Sequence, residues 1–286
     1  MDKILLLLFI FIRIFSSPVA SIFQKKLSSI YSSFTINFYT YFILSILCLY
    51  NCKQLISFDY TVQFIVLVFS CGFLCTIGML CMIKAVNIGE ISVLGPINSY
   101  KSIIGLIIAF FLLKEIPSIT ALIGVILIIF GSRYIFIDEK NGFNFSLLKR
   151  KDIQLRFLAM TLTAIEAVLL KKIIIISSVE ICFMFWCFMG LFWSFLLLLL
   201  TGKPTKVNSF KSFVSIFVIS LCLGLMQYST NFVFERMDVG LSLSVFQLSS
   251  IVTVLFGWKI FKETNIRLKL FGCLIMIIGS CLILIK

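Results

Sequence analysis

About ten apolar runs of roughly 20 residues dominate the sequence, and each is bounded by charged residues, Pro, Gly or Asn. They extend approximately over residues 4–23, 34–50, 62–85, 91–113, 119–137, 155–176, 181–200, 213–234, 241–261 and 268–285. An α-helix of about 20 residues crosses the hydrocarbon core of a bilayer, which is about 30 Å thick. The runs therefore predict an all-α membrane protein with about ten transmembrane helices.

The composition agrees with this prediction, because 61% of the residues are hydrophobic and only 13% are charged. The formal net charge is +13, but the Lys and Arg residues lie mostly in short segments between the apolar runs. Positive loops of that kind set the topology of a membrane protein and meet anionic lipid headgroups. We expect membrane lipids as partners, no nucleic acid, and a location in the bacterial cytoplasmic (inner) membrane.

Residue types that carry metal and covalent chemistry are scarce. The sequence has no histidine, and its ten cysteines include no C-x-x-C pair, so the usual zinc sites are excluded apart from an all-cysteine one. Glu166 has no second carboxylate deep in a predicted span, and no P-loop is present. We therefore predict that the chain is not an enzyme and uses no cofactor or metal.

The two halves of the chain resemble each other. The segment "LLKEIPSITALIGVILIIFGSRYI" from Leu112 aligns with "IFKETNIRLKLFGCLIMIIGSCLI" from Ile260. The alignment matches Lys114, Glu115, Gly124, Gly131 and Ser132 with Lys262, Glu263, Gly272, Gly279 and Ser280. A weaker match joins Lys25 and Lys26 to Lys171 and Lys172. We predict a duplication, with a first five-helix repeat over residues 1–144 and a second over residues 145–286.

Five crossings per repeat force the second copy to enter the membrane in the opposite sense, so the repeats are predicted to be inverted. Inverted repeats are common in transporters, where their exchange of conformations opens a midplane cavity to one side and then to the other. The duplication also bears on the N-terminus, where the start "MDKILLLLFIFI" followed by "SSPVAS" has the pattern of a signal peptide. A counterpart of this segment in the second half favours a transmembrane span instead.

These features resemble a known family. Pro96 near the start of the fourth run, a helix that ends in "LLKE", and then "LIGVILIIFGS", all repeated in degraded form near the C-terminus, resemble the EamA-type ten-helix members of the drug/metabolite transporter superfamily. The resemblance implies two five-helix halves around a central substrate cavity, and the export or exchange of amino acids, other metabolites or toxic compounds. It does not imply a particular substrate.

The chain departs from that pattern in two places. "LLKE" stands at 112–115 where the family has "LLGE", and no proline in the second half matches Pro96. We therefore expect the ninth helix to be more regular than the fourth. Orientation stays open, because the positive-inside rule applied to the loops places both termini outside, whereas the resemblance implies that both are cytoplasmic.

Three charged residues, Arg13, Lys101 and Glu166, lie far from any predicted span end. A Lys or Arg at the centre of a membrane helix costs about 2.5 to 3.5 kcal/mol on insertion scales. Each is therefore expected to face the interior of the bundle or a watery cavity. Glu166 is also a candidate for proton coupling. Pro18 beyond Arg13 is a candidate helix break that aims Arg13 inward, and a structural role for Arg13 is the alternative.

Lys101 has the most informative neighbours. Asn98 lies one helical turn before it, Tyr100 is adjacent, and Pro96 can break the helix and free a carbonyl. Together they predict a polar notch whose ammonium attracts a carboxylate or phosphate. Two alternatives stay open: a structural ion pair between Lys101 and Glu166, and a lysine that extends along its stem to the membrane interface.

Three amides complete the candidate set. Gln227 and Asn231 are four residues apart in the eighth run and share a helix face, and Gln247 occupies the place of Ser99 in the repeat alignment. The candidate substrate-binding residues are Lys101, Asn98, Tyr100, Glu166, Gln227, Asn231, Gln247 and Arg13, with helix breaks at Pro96 and Pro18.

The sequence thus favours a secondary transporter that moves a small metabolite, such as an amino acid, an organic anion or a drug-like compound, by alternating access through a central cavity. A membrane channel or a non-transporting membrane scaffold is the alternative. Besides the small-molecule substrate, a coupling ion or proton is a candidate partner, and we expect a monomer or a homodimer.

Overall fold

A computed structural model describes residues 2–51, 55, 58–104, 107, 118–138, 142–143, 149–202, 206–207 and 209–283. The described residues are almost entirely helical. We number the α-helices α1 (Asp2–Ser28), α2 (Ser33–Cys48), α3 (Val62–Ile88), α4 (Ile91–Leu94), α5 (Ile119–Ile135), α6 (Lys151–Ile176), α7 (Val179–Thr201), α8 (Phe210–Arg236), α9 (Val239–Phe246), α10 (Leu248–Phe261) and α11 (Ile266–Ile283). Leu49–Asn51 and Pro96–Ser99 are 3-10 helices, and β1 (Ile137–Asp138) pairs antiparallel with β2 (Gly142–Phe143).

Within the described residues, six helical segments are long and apolar enough to cross a membrane: α1, α3, α7, α8, α11 and the stretch Val239–Phe261 that contains α9 and α10. The shorter helices α2 and α5 are also apolar. Helix α6 has 26 residues and covers the sixth predicted span, although it begins at Lys151, four residues earlier than predicted. The helical membrane architecture is therefore confirmed, and the count of ten crossings stays a prediction.

Four helices begin directly after a Ser or Thr that serves as their N-cap. The side chain of a Ser or Thr at the N-cap accepts a hydrogen bond from the backbone N–H three residues later, and so satisfies one of the unpaired donors of the first turn. These N-caps are Ser32 for α2, Thr61 for α3, Ser118 for α5 and Ser178 for α7. Gly202 ends α7 in the left-handed conformation, with φ of 58°, which glycine adopts without a steric cost.

The fourth predicted span is broken near its start. Helix α4 has only four residues, Pro96 opens a 3-10 turn, and residues 100–104 are helical again. The α-helix is thus interrupted at Pro96, whereas most of the remaining span, including the "LLKE" segment, lies outside the described residues. The helix break predicted at Pro18 is not observed, because Pro18 lies inside α1, which continues through it to Ser28.

The ninth predicted span has no 3-10 segment, yet it is not continuous. Helix α9 ends at Phe246 and α10 begins at Leu248, so the interruption falls on Gln247. The Gln247 side-chain amide donates a hydrogen bond to the backbone carbonyl of Asn98 at 3.0 Å. The interruptions of the fourth and ninth spans therefore meet in space.

The helices pack in four main pairs: α1 with α8, α3 with α6, α2 with α7, and α5 with α11. The α5–α11 pair is closest at glycines. A Cβ atom on Gly124 would lie 2.6 Å from the carbonyl oxygen of Gly279, and one on Gly131 would lie 2.8 Å from that of Gly272. The two backbones are therefore in direct contact, and larger residues at these positions would separate the helices.

A polar cluster lies at one end of the bundle, where α1, α4 and the α10–α11 turn meet. Its central residue, Glu263, is 8% exposed and accepts hydrogen bonds from the backbone N–H groups of Ile91 at 3.0 Å and Ser92 at 2.9 Å. Lys25 Nζ lies 3.0 Å from a Glu263 carboxylate oxygen and also donates to the Gly89 carbonyl at 2.8 Å. Glu263 therefore caps α4 and joins it to α1.

A second ion pair extends this cluster. Lys269 on α11 is 3% exposed, pairs with the Glu90 carboxylate, and donates to Ser92 Oγ at 3.0 Å. We refer to Lys25, Glu90, Ser92, Glu263 and Lys269 as the Glu263 cluster. Burial raises the pKa of the Glu263 carboxyl, but the hydrogen bonds from Ser92 and the positive charge of Lys25 outweigh burial, so the pKa lies below its ordinary value.

Candidate functional site in a central cavity

A cavity of about 130 Å³ lies between α1, α3, α6, α8 and α9. Its wall is unusually polar for the interior of an apolar helix bundle. The polar lining residues are Arg13, Ser17, Ser21, Gln24, Asn98, Lys101, Arg156, Thr163, Glu166, Gln227 and Thr230, with Cys75 and Trp186 beside them. Met, Leu, Phe, Ala and Gly side chains or backbone form the rest of the wall.

Five of the eight sequence-predicted candidates line this cavity: Arg13, Asn98, Lys101, Glu166 and Gln227. The other three, Tyr100, Asn231 and Gln247, do not line it. All three charged residues that were predicted deep in the spans are thus found at one cavity.

Arg13 reaches the cavity from α1. Its Nε donates a hydrogen bond to Thr230 Oγ1 on α8 at 2.8 Å, and its guanidinium lies over the ring of Phe246, 4.9 Å from the ring centre. Its Nη1 is buried and makes no hydrogen bond within the described part of the chain. Arg13 is therefore held in place by neutral groups and keeps donors available.

Lys101 is half-buried and follows the 3-10 turn at Pro96. Among the described residues, no carboxylate forms an ion pair with it, so the Lys101–Glu166 pair weighed from sequence is not formed there. The Glu166 carboxylate instead accepts a hydrogen bond from Trp186 Nε1 at 3.0 Å. Because Lys101 lines the central cavity, the extension of its side chain to the membrane interface is also not observed.

The remaining candidates Gln227, Asn231 and Tyr100 contact protein groups. Gln227 Nε2 donates to Asn231 Oδ1 at 2.9 Å, as expected for amides four residues apart on one helix face. Tyr100 packs edge-on against Phe157, with ring centres 5.2 Å apart. Asn231 therefore binds the side-chain amide of the lining residue Gln227, whereas the ring of Tyr100 packs against Phe157 outside the cavity wall.

A cation that the sequence prediction missed, Arg156, lies on α6 and is only 6% exposed. Its Nε donates to the Leu94 carbonyl at 2.8 Å. That carbonyl is available because the chain turns at Pro96, where the Asn98 N–H bonds to Gly95 instead of continuing an α-helical pattern. The broken fourth span thus anchors a guanidinium beside the cavity.

The chain was compared with protein families, with solved structures and with curated protein sequences. Residues 4–137 match the model of the EamA-like transporter family. The match covers just under half of the chain, and this segment is similar to that family. The EamA-like segment contains Arg13, Asn98 and Lys101, whereas Arg156, Glu166 and Gln227 lie beyond it.

The second result concerns the whole chain. A solved structure described only as "Crystal structure of protein" is similar to it with a TM-score of 0.67 and 14% identity, over 96% of this chain and 94% of that chain. At this identity the similarity shows the fold alone. No curated protein sequence matches the chain. The EamA-like match and the long apolar helices together identify an integral membrane protein.

A helical-wheel argument would have found Arg156. In steps of 100° per residue, Arg156, Ala159, Thr163, Glu166, Ala167 and Leu170 fall within an arc of about 100° on α6, and all six line the cavity. The predicted span begins at residue 155, which places Arg156 at a span end where a charge needs no explanation. Thr230 and Trp186 were missed as well, because neither residue type is unusual in a membrane helix.

Proposed function

We propose that this protein is a secondary transporter that moves a small metabolite across the membrane by alternating access through the central cavity. The observation that carries the proposal is the origin of the polar lining. Arg13, Asn98 and Lys101 come from the first half of the chain, and Arg156, Glu166 and Gln227 come from the second. A site built from both halves changes shape when the halves move relative to each other, as alternating access requires.

The α5–α11 contacts support the inverted repeats that this mechanism uses. In the sequence alignment Gly124 corresponds to Gly272, and Gly131 corresponds to Gly279. When each glycine is replaced by its counterpart in the other half, the Gly124–Gly279 contact becomes the Gly272–Gly131 contact. Both contacts are present. A two-fold axis between the halves would relate these contacts, which favours a first repeat over residues 1–144 and a second over residues 145–286.

The pairs of packed helices are related by the same correspondence between the two halves. If α1 corresponds to α6 and α3 corresponds to α8, the α1–α8 pair becomes the α6–α3 pair, and both pairs are main contacts of the fold. The lysines correspond in part: Lys25 donates to the Gly89 carbonyl, and Lys171 donates to the Phe234 carbonyl and lies 3.4 Å from the Met237 carbonyl. Gly89 and Met237 are equivalent in the alignment frame, so this contact also fits two related repeats.

The Glu263 cluster fits the role of a closed gate. Lys25 follows Arg13 by twelve residues on α1, which is about 18 Å along the helix. Between them, a smaller cavity of about 20 Å³ is lined by Ser17, Ser21 and Arg156, among other residues. We propose that the ion pairs of the Glu263 cluster hold this end shut in the present conformation and separate when the cavity opens there.

A flux experiment tests the proposal. Purified protein is first screened by thermal shift against named amino acids, organic acids and cationic dyes, and each stabilising compound is then used as a radiolabelled solute in proteoliposomes. A carrier gives saturable uptake that is accelerated by the same unlabelled solute inside the vesicle. Uptake that rises linearly with concentration would identify a channel, and no uptake above protein-free vesicles would support a scaffold; either result rejects the carrier.

A further inference from the structure

The charges on the cavity wall are unbalanced. Arg13, Lys101 and Arg156 are cations, and Glu166 is the one carboxylate among the described lining residues. With all four groups in their ordinary ionised forms, the wall carries two more positive than negative charges. The imbalance lies deep in the bundle, where charges are screened much less than at a surface.

Within the described residues, no ion pair or hydrogen bond joins any of the three cations to a carboxylate. Arg13 Nε donates to a threonine hydroxyl and Arg156 Nε to a backbone carbonyl, both of which are neutral acceptors. Arg156 Nη1 is directed at the sulfur of Met82, which is a weak acceptor. Lys101 takes part in none of the ion pairs of the described residues, all of which lie elsewhere.

A desolvated cation without a counter-charge is destabilising, and a membrane interior makes this cost harder to avoid. A bound anion would offset this cost for all three cations together. The planar donor forks of the arginines match the two oxygens of a carboxylate or phosphate, and the ammonium of Lys101 adds a compact positive charge. Arg13 Nη1, which is buried and has no hydrogen-bond partner among the described residues, offers a donor for such a bond.

We infer that the cavity binds a small organic anion, with a dianion preferred, through Arg13, Lys101 and Arg156. This inference rests on the proposed transport function and narrows its substrate class. Glu166 faces the same cavity and is bound to Trp186, so the anion is expected on the side of the three cations and away from that carboxylate. Zwitterions and cations are disfavoured, because neither reduces the positive excess of the wall.

A charge series at constant carbon-chain length tests the class. Purified full-length protein is titrated with succinate, succinamide and 1,4-diaminobutane, which share four carbons and carry charges of about −2, 0 and +2 at neutral pH. Glycerol 3-phosphate and glycerol form a second pair that separates phosphate from carboxylate recognition. We expect a concentration-dependent rise in Tm with succinate or glycerol 3-phosphate and none with the uncharged or cationic members.

Variants locate the binding. Arg13→Gln, Lys101→Gln and Arg156→Gln should each weaken the apparent affinity for the stabilising anion by about tenfold or more, because each loses a charge-assisted hydrogen bond. Arg133→Gln and Lys172→Gln are matched controls, since both residues are exposed and neither lines the cavity. They should leave the affinity unchanged.

The outcomes distinguish the two proposals. If 1,4-diaminobutane or succinamide stabilises the protein as well as succinate, or if neither anion shifts Tm, the anion class is wrong. If all five variants respond to the anion like the parent, binding occurs elsewhere and the inference also fails. Saturable uptake of only neutral or cationic solutes would keep the transporter and reject the anion, whereas anion binding at the three cations without saturable flux would keep the site and reject the transporter.

Discussion

The central cavity and the Glu263 cluster hold most of the buried charge described in this protein, and they hold it in opposite ways. In the cluster, Glu263 is bound by Lys25 and by two backbone N–H groups, and Lys269 is paired with Glu90. In the cavity, the cations Arg13 and Arg156 contact neutral acceptors, and Lys101 has no ion pair with a described residue. One region satisfies its charges internally, and the other leaves them available.

This difference indicates different roles for the same residue types. A carboxylate whose partners all belong to the protein contributes to the stability of one conformation and has little to offer a ligand. A cation with neutral neighbours contributes less to stability and can still form an ion pair with a bound solute. Charge substitutions should therefore be costly for folding in the cluster and costly for binding in the cavity.

The largest loss of stability is expected from Glu263→Gln. The change leaves Lys25 without its counter-ion, and breaking a buried pair in this way costs about 3 to 5 kcal/mol. Thermal unfolding in detergent measures the effect. The double variant Glu263→Gln with Lys25→Met should recover part of the loss, because no unpaired ammonium remains; a double variant less stable than Glu263→Gln would argue against the pair.

Arg156→Gln should have an intermediate effect. Arg156 is a cavity cation, but its Nε also satisfies the buried carbonyl of Leu94. Loss of that donor should cost about 1 to 3 kcal/mol, measured by the same unfolding experiment. Arg13→Gln is the matched comparison and should cost less, because the Thr230 hydroxyl keeps its own bond to the Met226 carbonyl.

Acid should weaken the Glu263 cluster. The folded-state pKa of Glu263 lies below its ordinary value of 4.5, so its contribution to stability is complete above that value and declines as the pH falls through the folded pKa. Tm measured between pH 7 and pH 3 should therefore fall at the acid end, by less than the full effect of Glu263→Gln. The decline should be shallower in the Glu263→Gln variant, and an equal decline in both would assign it to other carboxylates.

The smallest change in stability is expected from Lys101→Met. No ion pair with a described residue is lost, and a desolvated charge is removed, so the free energy of unfolding should change by less than about 1 kcal/mol or increase. Solute binding should nevertheless decrease. A loss of stability as large as that of Glu263→Gln would mean that Lys101 is a structural partner and would remove the contrast between the two regions.

The sequence predicted those features that follow from the cost of placing a charge in a membrane helix or from the spacing of residues along one helix. The insertion cost of Arg13, Lys101 and Glu166 placed all three at an interior cavity, and four-residue spacing paired Gln227 with Asn231. The break at Pro96 follows from the missing N–H of proline.

The features that sequence reasoning missed depend on contacts between distant segments. Nothing local to Gln247 predicts an interruption there, because no proline is present and its amide bonds to the carbonyl of Asn98 on another span. The capping of α4 by Glu263 likewise joins segments far apart in the chain. Arg156 was missed because the helix begins at Lys151, which moves this residue from the predicted span edge into the bundle.

The glycine contacts between α5 and α11 have a consequence for how the two halves can change over time. Gly124 touches Gly279 and Gly131 touches Gly272, each through the partner's backbone, so neither half can acquire a side chain there without a compensating shift in the other. If the chain arose by the proposed duplication, its two copies would otherwise diverge independently. At these four positions, a substitution in one half is instead limited by the backbone of the other half.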